Sequence, residues 1–253
     1  MKSWTRASWW AMALEAVEPQ SVTPSHLSSG VLLPFILSLV GGSTDTVGFL
    51  GLNGLFTAHI TGNLVVLAAR VVAGDPAVLA YLLSVPVFIL VLLLTSLLAE
   101  RFERSGIKPL RPLMSLEVLL LLAFFLLCVT SHAPFALDSA RALATGMCGV
   151  AAMAVQTALV QICLADAPST AAMTTNVTQF VFSVAELVCR RDGSEAEQAR
   201  KRISRTLPVI IGFVLGSALG AAGDAAWGLW SLSVPTALSL LALVLSLPLA
   251  GTK

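Results

Sequence analysis

The chain has 253 residues, 57% of them apolar and only 11% charged, with a formal net charge of +1 and a mean hydropathy of +0.88. Soluble domains carry about 25% charged residues, so this composition excludes an ordinary water-soluble domain, and the near-neutral charge gives no reason to expect a nucleic-acid partner. The four cysteines, Cys128, Cys148, Cys163 and Cys189, lie in apolar runs without a C-x-x-C pair or metal-ligand spacing. They read as small buried hydrophobes, and no metal or cofactor is expected.

Residues 1–18 lack the uninterrupted apolar region and cleavage site of a signal peptide. Trp4, Trp9 and Trp10 with Lys2 and Arg6 predict instead a helix lying at the membrane interface. A Ser/Pro/His linker over 21–30 follows, and residues 31–250 read as one transmembrane domain. Apolar runs predict spanning helices at about 31–51, 77–99, 113–131, 139–164, 206–223 and 229–248. Two shorter stretches with polar starts, about 57–73 and 172–189, interrupt them. The fold class is therefore all-α: a polytopic helical membrane protein of about six spans plus two short helices.

The order long, short, long, loop, long occurs twice, over 31–131 and 139–248, which predicts two diverged repeats. Aligning Ala58-His59-Ile60-Thr61-Gly62 with Thr175-Asn176-Val177-Thr178-Gln179 gives a shift of 117, and the region of Asp45 meets that of Thr157 at a shift of 112. Ten of the fifteen Lys and Arg residues fall in two segments, 100–111 and 190–205, which should both be cytoplasmic. They share a side only if the two short stretches dip in and return without crossing. Six crossings then remain, with both termini inside, thirteen basic residues cytoplasmic, and Arg70 and Arg141 outside. If all eight stretches cross, the division is eleven to four and the halves are parallel rather than inverted repeats. Six is the expectation, and inverted repeats place a binding site at the midplane between half-helices.

The most informative stretch is Gly41–Asn63, which sets Ser43, Thr44, Asp45, Asn53, His59, Thr61 and Asn63 between apolar runs. In lipid each must be paired or must face a cavity. Asp45, behind Gly41-Gly42, could carry a proton or bind a cation, or could be a carboxyl bonded to Thr44 or to a partner helix. His59, Asn63 and Arg70 share one helix face. If that helix dips inward, its first amides offer a site for an anionic or carbonyl group, with Thr61 adding a hydroxyl. The plainer alternative is a capped helix start. In the second half Thr175, Gln179, Ser183 and Glu186 form a polar stripe, with Gln156 and Gln161 as candidate partners. Glu186 could instead pair with Arg190 near the headgroups. Gly212, Gly216 and Gly220 predict close helix packing, within the chain or in a homo-oligomer.

Gly42-x-x-Asp45, Phe49-Leu50 and Ala58-His59-x-Thr61-Gly62-Asn63 resemble the signature of the YoaK-like family, a bacterial multi-span membrane family and domain of unknown function. The resemblance covers about residues 30–250 and implies an inner-membrane protein of six or so helices, with no established substrate. The chain departs from the family at Thr46, where Ala is usual, and at Thr178-Gln179, where the second half usually keeps a Thr-Gly pair.

No GxGxxG, Walker loop, HExxH or G-x-S-x-G is present, so neither ATP-driven pumping nor soluble-enzyme chemistry is expected. An intramembrane enzyme using Asp45 and His59 is the least expected class, because they lie fourteen residues apart with no nucleophile beside them. The residues read best as a bacterial inner-membrane protein that moves or binds a small polar or anionic solute. Its central site would join Asp45, His59, Thr61 and Asn63 of one half to Thr178, Gln179 and Glu186 of the other. Asp45 or Glu186 would carry a proton or cation if transport is coupled. The alternative is a non-transporting membrane sensor or assembly partner, with the basic loops as docking surfaces.

Overall fold

The computed structural model describes residues 24–75, 78–130, 139–164, 166–189 and 193–246. The expected N-terminal interfacial helix, the turn at 131–138 and Arg190 lie outside them. Among the described residues there are eight α-helices and no strand. They are α1 (Pro24–Gly51), α2 (Ile60–Ala73), α3 (Leu79–Arg104), α4 (Leu110–Thr130), α5 (Ala140–Cys163), α6 (Met173–Cys189), α7 (Ser194–Trp227) and α8 (Ser233–Leu245). A short 3-10 segment, Gly228–Leu232, joins the last two.

Local chemistry explains several helix ends. Ser139 caps α5 by accepting from the Ala142 amide. Gly74 closes α2 in the left-handed conformation that costs glycine least. Two boundaries differ from the sequence expectation. Helix α1 begins at Pro24, so the last part of the predicted linker is helical. Helix α7 begins at Ser194 and takes in most of the second basic segment. That stretch has Glu195 and Glu197 in its first turn, where they favour the helix dipole, and no glycine or proline before Pro208.

The outward faces are apolar. Ile89, Leu90, Leu93, Leu94 and Leu97 of α3 are all more than half exposed, while α1 and α5 are mostly buried at the centre. Rows of bare leucine suit hydrocarbon rather than water. Five stretches are long and apolar enough to cross a membrane, the last being Ser194–Leu245 with 52 residues. As one straight helix it would run about 78 Å, more than twice the ~30 Å hydrocarbon core. It turns back at Gly228, and the 3-10 segment with α8, 18 mostly apolar residues in all, returns through the bundle from Leu232 to Ala242.

Two apolar clusters fix the directions. One gathers Leu33 and Leu37 of α1, Ala99 of α3, Met114 of α4, Leu159 of α5 and Ala242 of α8. The other gathers Val47, Tyr81, Phe124 and Leu232, with Leu143 and Met147 of α5 packed on it. Helices α1 and α4 therefore run from the first cluster to the second, and α3, α5 and α8 run back. Helix α7 runs beside α1, with Gly212 against Phe35 and Gly220 against Ser43. Each helix of the first half thus has an antiparallel counterpart in the second: α1 with α5, α3 with α7, α4 with α8. The repeats are inverted, and they interlock, because α1 packs on α7 and α8 while α5 packs on α3 and α4. The basic segments Arg101–Arg111 and Arg200–Arg205 share the end marked by the first cluster, and Arg70 and Arg141 lie at the other.

The glycine stripe of α7 is occupied by α1 of the same chain. A Cβ on Gly216 would stand 2.3 Å from the Leu39 carbonyl oxygen, and one on Gly42 would stand 2.3 Å from that of Phe213. This face is therefore closed to the second copy that the sequence alone allowed.

Candidate functional site

Beyond α1 the chain reverses at Asn53-Gly54, both at positive φ, and returns along α1 as an extended limb to His59. Ala58 packs into the middle of the bundle with Val40, Leu121 and Met153. Val66 and Leu67 of α2 pack instead on the cluster beyond it. Helix α2 therefore starts at mid-depth and climbs back to the face it came from. Its 14 residues reach about 21 Å, too short to cross.

Non-helical backbone at this depth needs internal partners. Asn63 supplies two, accepting from Phe56 N at 2.9 Å and donating to Phe56 O at 2.8 Å. Arg70 and Tyr81 both donate to Asn53 O, at 2.5 and 2.6 Å. Asp45 of α1 supplies the rest. Its Oδ1 accepts from Thr57 N and Ala58 N, both at 2.7 Å, and from the Thr57 hydroxyl at 3.2 Å. Its Oδ2 lies 2.5 Å from His59 Nδ1. An acid less than two helical turns from the end of α1 thus pins the limb that leads into α2, whose N-cap residue, His59, gives no side-chain cap of its own. With two amides already donating to the carboxylate, the proton of this contact belongs on Nδ1. The imidazole is held between the rings of Phe56 and Phe213 and remains partly exposed.

The second half repeats the device from the opposite face. Beyond α5 the chain turns back through Asp166–Ala172 and starts α6 at Met173. Asn176 Nδ2 donates to Ser169 O at 2.6 Å, as Asn63 does to Phe56 O. Gln156 of α5 donates from Nε2 to Thr170 Oγ1 and to Leu37 O of α1, both at 2.9 Å. Ser169 Oγ accepts from the Ala171 and Ala172 amides. The clips and the helix starts put the two hairpins in register at a shift of 113, which corrects both shifts read from the sequence. Phe56-Thr57-Ala58-His59-Ile60-Thr61-Gly62-Asn63 overlies Ser169-Thr170-Ala171-Ala172-Met173-Thr174-Thr175-Asn176, with four identities in eight. The counterpart of Thr61-Gly62 is Thr174-Thr175 rather than Thr178-Gln179, and Asp45 meets Ala158. The second hairpin has no carboxylate cap.

The predicted site residues separate into three places. Asp45, His59 and Asn63 hold the first hairpin together, and Thr61 is exposed beside them. Gln179, with Thr175, lines a cavity of about 380 Å³ at the start of α6, closed by Gln161, Ser169, Arg202 and Arg205. Thr178 is exposed and bonds the Thr174 carbonyl. Glu186 sits at the basic end, paired with Arg202, which also donates to Ser183. Arg205 pairs with Asp166 across the cavity mouth. Gln156 bonds Thr170 and α1 rather than the stripe on α6. Sequence reasoning missed Thr57, Ser169 and Thr170; the recurrence of T-A-x-x-T-x-N was the signal for Thr57 and Thr170, and Ser169 stands just before its second copy.

Fold and hairpins together define a polytopic α-helical membrane protein built from two inverted halves, each with three bundle helices and one short helix that starts inside the bundle. Residues 33–245 match the family described as protein of unknown function (DUF1275), and the chain belongs to it. No curated protein and no solved structure matches the chain.

Proposed function

We propose that this protein is a carrier for a small polar or anionic solute in the bacterial inner membrane, with the basic face and both termini in the cytoplasm, and that it is not an enzyme. The observation that carries the reading is the pair of re-entrant hairpins entering from opposite faces, whose half-helices both begin at mid-depth. Secondary carriers place their substrates at such interrupted helices, where free backbone amides and side chains converge without facing lipid. The cavity at the start of α6 is what favours a polar or anionic solute. Arg202, Arg205, Gln161, Thr175 and Gln179 surround it together with Asp166, a set rich in hydrogen-bond donors at the start of a helix. Arg202 is paired to Glu186 and Arg205 to Asp166. The clustering of basic residues on one face supports the orientation.

The test is thermal melting of the full chain in nanodiscs against a panel of small organic anions and neutral polar metabolites. Saturable stabilisation by one class, lost in Gln179→Ala and Arg205→Ala, supports the carrier reading. Gln179 is the better probe than Asn63, because Asn63 is committed to the Phe56 backbone. Melting that ignores the whole panel sinks the solute site and leaves the sensor or assembly reading.

A further inference from the structure

Asp45 and Glu117 are the two buried acids among the described residues, and their surroundings are opposite. Asp45 meets two amides, a hydroxyl and an imidazole. Glu117, in the middle of α4, is 0% exposed, and neither of its carboxyl oxygens has a hydrogen-bond partner. The hydroxyl of Ser239 on α8 faces it without closing a hydrogen bond of normal geometry and is itself unpartnered.

Two more unpartnered polar atoms share this layer of the bundle, Ser38 Oγ of α1 and Gln156 Oε1 of α5. The apolar cluster on the basic side holds Leu37, Met114, Leu159 and Ala242, and the middle cluster holds Val40, Leu121 and Met153 with Leu238 packed on it. Ser38, Glu117, Gln156 and Ser239 each fall in sequence between the two. Four helices therefore contribute an unpartnered polar group to one slab between two apolar layers. Native interiors rarely leave such groups together without a use for them.

Among the described residues no compensating charge is placed there. The elements packed most closely on α4 are α5, α8 and the 3-10 segment. Helices α1 and α3 meet it in the apolar clusters, and the charges of α3, Glu100, Arg101, Glu103 and Arg104, lie beyond Ala99 at the basic end. Helix α8 and the 3-10 segment carry no titratable residue, and α5 carries Arg141 and Cys163 near its ends and Cys148, which bonds the Leu120 carbonyl. Arg111 on α4 is six residues from Glu117, about 9 Å along the axis toward the basic end. On α1, Asp45 lies seven residues beyond Ser38 and is held by His59. A carboxylate without a partner in this layer would be strongly disfavoured, while the same group carrying a proton is tolerated. The layer also has an outlet. Gln156 turns its Nε2 to Thr170, and the adjoining Ser169 and Ala172 line the cavity that opens to the basic face.

We propose that Glu117 is a proton site of the membrane interior, exchanging one proton with water through the polar layer that Gln156 links to the cavity. The step transfers a single proton between a Glu117 oxygen and a water molecule; one O–H bond breaks, another forms, and nothing is oxidised or reduced. The proposal rests on the carrier reading only for its role, since in a carrier this proton is the coupling ion and Asp45 is not.

The test is infrared spectroscopy of the full chain in nanodiscs, with exchange into D2O, on wild type, Glu117→Gln and Glu117→Asp. The expected wild-type spectrum has the carbonyl stretch of a protonated carboxylic acid. That band moves on D2O exchange and gives way to carboxylate bands as pH rises. It is absent in Glu117→Gln and displaced in Glu117→Asp, which secures the assignment even if the amide variant does not fold. A spectrum without the band overturns the proposal, because Glu117 is then ionised. A band that ignores both D2O and pH also overturns it, because the acid is then sealed and structural. Loss of the band on adding sodium at constant pH overturns it in favour of a cation site. Solute plays no part in this measurement, so its failure leaves the carrier reading standing, and a blank solute panel leaves the proton site standing.

Discussion

Asp45 is a positioning residue, and that changes what its variants report. Asp45→Asn keeps the size of the side chain but replaces a charged acceptor with a neutral one and turns an NH2 group toward His59 Nδ1. Hydrogen bonds to charged groups contribute about 1.5–3 kcal/mol each, and leaving buried donors unpaired costs a comparable amount. We therefore expect Asp45→Asn to lose about 2–3 kcal/mol and to melt clearly below wild type in detergent. Lost flux in this variant would then report a loosened hairpin rather than a missing proton carrier. Wild-type melting of Asp45→Asn would show that the carboxylate is not holding the limb that leads into α2. The two asparagine clips allow an internal comparison. Asn63 makes two bonds to Phe56 and is 0% exposed, whereas Asn176 makes one backbone bond, to Ser169. Asn63→Ala should cost more than Asn176→Ala, by about 1 kcal/mol, the worth of the extra bond. Equal melting of the two would mean that the clips are not equivalent parts of a repeated device.

At the scale of elements, the α1–α7 seam is the tightest contact in the bundle, because glycines on both sides let the backbones meet. Gly216→Ala places a methyl group 2.3 Å from the Leu39 carbonyl oxygen, a distance that forces the helices apart. Overpacking of this kind costs about 1–3 kcal/mol, so Gly216→Ala should melt lower while Gly30→Ala, with open space around it, should not. Equal effects at both positions would contradict the seam. The seam was partly legible beforehand, since the spacing of Gly212, Gly216 and Gly220 implies close packing; which helix fills it depends on tertiary structure that spacing does not encode. The hairpins divide the same way. Their short length and polar starts were readable from hydropathy, and the AH-x-TGN segment marked the first one. Their register was not read correctly, because helix phase was matched at polar positions along α6 instead of at the Thr-Ala and Thr-x-Asn that build the turn. Glu117 escaped notice for a related reason. One acid inside an apolar run looks like a tolerated exception until its neighbours are known.

For the whole molecule, inversion is the property from which the rest follows. Two copies of one unit in opposite orientations put both hairpin tips at the same depth, bring α3–α4 and α6–α7 basic segments to one face, and pair the central helix of each half with the outer helices of the other. The claim is open to a test that needs no substrate. Single cysteines at Ser105, after α3, and at Ser194, at the start of α7, are placed in a background without the four native cysteines. Both positions are exposed, at opposite ends of a stretch that holds α4, α5 and α6. In the proposed topology α6 returns to the face it entered from, so that stretch crosses the bilayer only twice. An impermeant thiol reagent should leave both cysteines unmodified in intact cells and modify both once the membrane is opened. If Ser105→Cys reacts from outside while Ser194→Cys does not, α6 crosses, the halves are parallel, and half-helices no longer meet at the midplane. The carrier reading would then lose the observation on which it stands.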